Sequence, residues 1–399
     1  MLTTNRACWS GAESARLEHP RERRRIFVAA VHRGPGQGVR VRSSAGRNAS
    51  AAPRKSFFAL ASALAAVGSA GDPQLAPPSA EPARLAAQSL LIAVATAGPR
   101  LVAVGDRGVI VLSDDRGRSW TQALDVPTQA LLTGVCFLDA AHGVAVGHDE
   151  VILTTADAGA TWRRTHYAPE AQRPLLDVWC GGGGHAIAVG AYDAYLTSED
   201  GGASWTARKF TGAPPPGGRA ARPAPSAGVA EHGAAGGGYH LNRIVPAGAS
   251  RLYIAAEAGH LYRSDDGGAS WHALSPPYEG SFFGVLPLPG EAVLAFGLRG
   301  HLYRSEDAGS SWQKIETGTV ALLDGAARFD DAGVAIVGLA GVVLVSHDHG
   351  RTFTLAQQSD RAGLAAAVAV GEAELAAVGE DGARLISLRV APGGAPGAR

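Results

Sequence analysis

Lysine, methionine and cysteine are scarce: 399 residues hold 3 Lys against 33 Arg, one Met and 3 Cys. The arginine bias points to a GC-rich genome rather than to a mechanism. Cys8 lies in an atypical head, so the body can form at most one disulfide, between Cys136 and Cys180. Export permits that bond, but two free buried thiols are expected. No apolar run is long enough to cross a bilayer; the run from Phe57 to Val67 falls well short. Helical periodicity is absent, which excludes a helical solenoid. There is no net charge either, but residues 1–70 carry +9 and residues 71–399 carry −9. An acidic body excludes nucleic acid as the ligand, because phosphate binding needs concentrated positive charge.

The basic head is the place to look for targeting signals. Arg54-Lys55, the apolar run Phe57–Val67 and the small residues Gly68-Ser69-Ala70 make a signal peptide over about 54–70. Met1 is the sole methionine, and residues 1–50 read as an over-extended start. The mature chain is therefore expected to begin near Gly71 and to be exported, to the periplasm or an equivalent compartment. Residues 71–89 form a Pro/Ala-rich linker, 90–390 the folded body, and 391–399 a disordered tail.

The body is a repeat. Ser/Thr-x-Asp-x-Gly-x-x-Trp/Phe occurs as Ser113-Asp115-Gly117-Trp120, Thr155-Asp157-Gly159-Trp162, Ser198-Asp200-Gly202-Trp205, Ser264-Asp266-Gly268-Trp271, Ser305-Asp307-Gly309-Trp312 and Ser346-Asp348-Gly350-Phe353. The aspartates are 42, 43, 66, 41 and 41 residues apart. A short glycine turn precedes each box, and a seventh, Gly379-Glu380-Asp381-Gly382, has no box after it. Four short Val/Ile/Leu/Ala runs per unit match the size of a propeller blade. The prediction is all-β: a seven-bladed β-propeller whose last blade lacks its own outer strand. The segment before Leu90 is expected to supply that strand. The long interval holds an insertion, 212–238, of mostly Gly, Ala and Pro, which reads as a flexible loop.

The boxes themselves are expected to be structural. Asp accepts backbone N–H bonds in the turn, Ser or Thr adds a hydroxyl, Gly takes the left-handed conformation, and the aromatic plugs the gap between blades. One aspartate per blade around a periphery cannot converge on a metal or a substrate. No metal site and no cofactor are expected; His347-Asp348-His349 belongs to a turn the box already explains.

These octets resemble the BNR/Asp-box repeat of sialidases, sortilin-type receptors and several glycosidases. One box per blade, with the glycine turns and a signal peptide, most resembles the photosystem II stability/assembly factor family. Its plant and cyanobacterial members are lumenal propellers that help assemble photosystem II. The resemblance implies a non-enzymatic, monomeric, protein-binding assembly factor whose partner is a membrane or envelope protein complex. The alternative is a sialidase-like glycoside hydrolase or a non-catalytic glycan binder. Against catalysis, no Arg-Ile-Pro motif precedes Ser113, Arg243-Ile244-Val245-Pro246 reads as an ordinary inner strand, and no carboxylate pair stands out.

Strand order places the functional face. Successive strands a, b, c and d alternate in direction, so the a–b turns and the boxes share one face, and the b–c turns and d–a crossings share the other. That second face carries the variable residues, and a partner is expected there on Arg107, His148, Tyr167, Tyr192, Tyr278 and Arg299.

Overall fold

Short Val/Ile/Leu/Ala runs between Gly- and Asp-rich turns become strands of two to eight residues. The computed structural model, which describes residues 78–213 and 238–389, assembles them into seven sheets, antiparallel except for one short added strand in blade four. Each sheet is a meander. The a strands are Leu91–Ala97, Leu132–Phe137, Leu175–Cys180, Leu241–Pro246, Phe282–Pro287, Leu323–Arg328 and Leu364–Gly371. Each packs against the next and the seventh packs against the first, so the ring is closed around a central channel. Among the described residues the helical elements are all three-residue 3-10 turns. The b strands are buried along their whole length in blades two to six, Val144-Ala145-Val146 for example. Neighbouring blades cover both faces of each sheet, which is why these strands are apolar throughout rather than alternating.

Every a strand begins with a β-bulge, at Ile92, Thr133, Leu176, Asn242, Phe283, Asp324 or Ala365. A bulge bends the strand and re-aims its side chains, here at the rim of the channel.

Closure differs from expectation. Blade seven has three strands, ending at Gly382–Ser387, and the segment before Leu90 adds none. Pro78 and Pro82 cannot donate to a ladder. Residues 79–83 instead lie along blade one, with Ala80 N–H donating to Val126 O (2.8 Å) and Ala83 N–H to Gln122 Oε1 (2.7 Å). The 3-10 turn Ala86–Gln88 then covers only the Gly382 end of the last strand. The ring closes by packing instead. Gly117 of the first box sits over Ala376 and Leu385 of blade seven, and buried Leu388 joins the core between blades six and seven where a seventh plug would stand.

The expectation of free thiols is also corrected. Neighbouring a strands bring the Cα atoms of Cys136 and Cys180 to 5.7 Å, and their sulfurs are bonded at 2.02 Å. Lateral proximity of two blades, invisible in linear spacing, makes the bond. At the insertion, Gly212–Ala213 pairs in parallel with the outer strand of blade four, Trp271–Leu274, as a fifth strand. Residues 214–237, the head with the expected signal peptide and the tail from 390 lie outside the described residues.

Candidate functional site

The two faces separate as strand order requires. On one, a–b turns accept bonds from the boxes: Ala158 N–H to Ala141 O, Gly201 N–H to Gly184 O and His349 N–H to Ala332 O, at 2.8–2.9 Å. On the other, b–c turns are bonded to d–a crossings: Ala168 N–H to Asp149 O (3.1 Å), Asp193 N–H to Tyr239 O (2.8 Å) and Gly259 N–H to Gly280 O (3.0 Å).

On the first face all six boxes share one bond network. The leading hydroxyl donates to Asp Oδ1 and accepts from the Gly N–H; Ser113 does so at 2.8 and 2.7 Å, Ser346 at 2.7 and 2.9 Å. The glycines hold φ between 74° and 93°, where a Cβ would be strained. A further residue, missed in the sequence, completes each box. Ser119, Thr161, Ser204, Ser270, Ser311 and Thr352 give both N–H and hydroxyl to the aspartate, the hydroxyl at 2.6–2.7 Å. Its signal was visible: the position is Ser or Thr in every copy. These bonds, the hydroxyl first, hold the Asp115 and Asp200 carboxyls down to about 2. Four tryptophans donate Nε1–H to the box glycine O at 2.9–3.1 Å. Trp271 reaches Tyr195 of blade three instead (3.1 Å), and Tyr195 passes the bond on to Gly268 O (2.8 Å). Every box aspartate is saturated by its own turn, so none of the six is free to hold a ligand.

The second face is different. Six of its b–c turns place two successive residues at positive φ, the geometry of a type I′ hairpin turn: Arg107-Gly108, Asp149-Glu150, Tyr192-Asp193, Ala258-Gly259, Arg299-Gly300 and Ala340-Gly341. Such turns favour glycine, and a left-handed non-glycine residue costs about 1 kcal/mol. Arg107 (φ 51°), Asp149 (60°), Tyr192 (55°) and Arg299 (57°) nevertheless stand at the tips. In blades two and three the second glycine is also replaced, by Glu150 (φ 49°) and Asp193 (φ 56°). Both carboxylates anchor the following crossing. Buried Glu150 accepts from Arg173 Nε (2.8 Å) and lies 3.2 Å from His166 Nε2, bracketing the loop that carries Tyr167. Asp193 accepts from Tyr239 N–H (3.0 Å) where the chain returns from the insertion.

The six candidate residues therefore lie on one face but in different settings. Arg107 and Arg299 are exposed at their tips. Tyr167 is 36% exposed, with the Arg164 guanidinium 4.9 Å from its ring centre. Half-buried Tyr192 meets His240 edge-on at 5.0 Å, and burial lowers the proton affinity of His148. Tyr278 is the least free: it stacks on His301 (4.3 Å) and donates to Leu298 O (3.2 Å), which brings it to the Arg299 turn.

At the channel rim, sequence reasoning missed a charged group. Arg243 of blade four stands between two carboxylates, with Nε 3.9 Å from Asp177 of blade three and Nη2 3.7 Å from Asp324 of blade six. Blade five, in between, has Gly284 there, packed against the Phe296 ring, and so contributes no side chain to the group. Asp177 also accepts from Ile244 N–H (2.9 Å). Among the described residues neither Arg243 nor the Asp324 carboxylate has a direct hydrogen bond. Burial, opposed by Arg243 and helped by Asp177, pushes the Asp324 carboxyl up to about 6.

The family model of the photosynthesis system II assembly factor YCF48 matches residues 112–207, from blade one into blade three. No curated protein matches the sequence. Among solved structures, YCF48 bound to D1 peptide matches with a TM-score of 0.59 at 15% identity, over 79% of this chain and 100% of that one. YCF48 from Cyanidioschyzon merolae matches with 0.58 at 17%, over 76% and 96%. A GH74 enzyme from Niastella koreensis matches with 0.57 at 15%, over 76% of this chain but 53% of its own. At such identities the structural likeness is one of fold. The chain is a seven-bladed Asp-box propeller that resembles the photosystem II assembly factor family.

Proposed function

We propose that this protein is an exported, non-enzymatic assembly or stability factor that binds a membrane-protein partner through its b–c and d–a face. The observation that carries the reading is the strain on that face. Arg107 and Arg299 at exposed tips, and half-buried Tyr192, hold left-handed conformations that glycine would adopt freely, and strain kept there points to a use for the side chains. The rigid ring supplies the scaffold, and irregular loops on such a scaffold are where binding resides. The match to the YCF48 family model, and a similar propeller recorded with a bound peptide, support a protein partner. The Cys136–Cys180 disulfide supports an oxidising compartment.

The test is partner capture by cross-linking in the source organism's envelope, with Arg107, Tyr167, Tyr192 and Arg299 changed to Ala. Tyr278 is left alone because its packing would confound the result. Loss of the captured membrane protein by a folded variant is expected. Undiminished capture would move the site to the box face or the rim. N-terminal sequencing of the secreted protein should begin near Gly71; an intact head would sink the export reading.

A further inference from the structure

We propose that the rim of the central channel binds a basic side chain of the partner, a guanidinium or alkylammonium group, on the Asp324 carboxylate. This deepens the reading of the b–c face, on which it rests. The a strands start from the d–a crossings, so the bulges at their first residues set the Asp177–Arg243–Asp324 group at the mouth on that face.

Charge and geometry select the ligand. Two carboxylates and one guanidinium leave one negative charge in excess. The guanidinium is shared, at 3.9 and 3.7 Å, both too long for direct hydrogen bonds. Asp177 has a backbone donor in addition, whereas Asp324 has none among the described residues. Asp324 is thus a largely buried carboxylate, its side chain 26% exposed, with an open side and an incomplete shell. A buried charge in that state is costly unless a partner completes it. A second cation completes it; an anion would meet two carboxylates. A metal ion is disfavoured because Arg243 occupies the space between the acids, and no group of three metal-type side chains exists among the described residues. Gly134, Gly284 and Gly325 stand at this level without side chains of their own, so none covers the exposed quarter of the Asp324 carboxylate, although Phe296 and neighbouring strands pack closely against them. The net −9 of residues 71–399 draws a basic group toward the protein.

The experiment titrates the protein with N-acetyl-arginine amide and with its neutral isostere N-acetyl-citrulline amide. Binding is read by ligand-observed NMR at pH 7.5, and the Asp324 carboxyl is followed by carbon NMR across pH. The arginine amide should bind at least tenfold tighter than the citrulline amide and lower the midpoint of the Asp324 titration. Asp324→Asn, with unchanged near-UV circular dichroism, should lose that preference. The face variant lacking Arg107, Tyr167, Tyr192 and Arg299 should keep it, which separates this idea from the face reading itself. Equal binding of the two amides, or an unaltered preference in Asp324→Asn, overturns the proposal.

Discussion

Replacing Asp324 with Asn should make the protein more stable at neutral pH, and the gain should vanish in acid. Burial raises the Asp324 carboxyl from 3.8 to about 6, so the fold holds a proton that the unfolded chain has already released. Stability therefore falls as pH rises between those two values, and the loss is complete above them. At about 1.4 kcal/mol per tenfold change in proton affinity, the ionised side chain costs on the order of 3 kcal/mol. Asparagine has the same shape and no charge, so it forgoes the attraction of Arg243 and the larger desolvation penalty together. The assay is urea unfolding of both proteins at pH 4, 6 and 8, taking the difference at each pH. The difference cancels the box aspartates, whose lowered values make the parent lose stability in acid. The variant should lead by up to ~3 kcal/mol at pH 8 and match the parent near pH 4. A variant less stable than the parent at pH 8, or a difference that ignores pH, would show that Arg243 fully compensates Asp324.

Trp271 is 4% exposed and its Trp271→Ala variant should lose ~3–5 kcal/mol by thermal or urea unfolding; Trp205→Ala, at a half-buried plug, should lose less. Replacing Cys136 and Cys180 with Ser opens a link spanning 44 residues and should cost ~2–4 kcal/mol, and a reductant should reproduce the loss in the parent alone. Arg107→Gly and Arg299→Gly should each gain up to ~1 kcal/mol in the melt while weakening partner capture, because they relieve the left-handed tips. Deleting residues 214–236 should leave the unfolding midpoint nearly unchanged, since loop length enters stability only logarithmically.

What the sequence made legible is what repeats. Box, glycine turn and four-strand period recur on a fixed spacing, so blade count, strand order and the division of the two faces follow from local pattern. The serine or threonine before each plug was equally periodic and could have been found by aligning the six copies. What stayed hidden depends on lateral neighbours. Cys136 meets Cys180 because two inner strands lie side by side. Asp177 and Arg243 each follow the bulge of their strand and Asp324 is itself a bulge residue, but the three lie in different blades, so only the closed ring makes them one group. Closure at blade seven differs because a missing strand suggests a substitute, whereas Gly117 packs on blade seven from blade one and Leu388 fills the gap toward blade six.

A repeat protein also carries its own controls, and they bear on where function lies. Gly108, Gly259, Gly300 and Gly341 show what the second position of the b–c turn requires when nothing else is asked of it. Glu150 and Asp193 break that rule in adjacent blades, two and three, each at a left-handed residue that glycine would hold without strain. Both use the carboxylate in the same way, on the crossing that follows. Glu150 grips His166 and Arg173 on either side of exposed Tyr167, and Asp193 holds Tyr239 at the foot of the insertion. A loop needed only to connect two blades would not justify a strained anchor, because blade five makes the same connection with glycine. Anchored crossings instead present their side chains in one conformation, which lowers the ordering cost a partner must meet on binding. The two blades that depart from the repeat are thus the strongest candidates for the part of the face a partner touches.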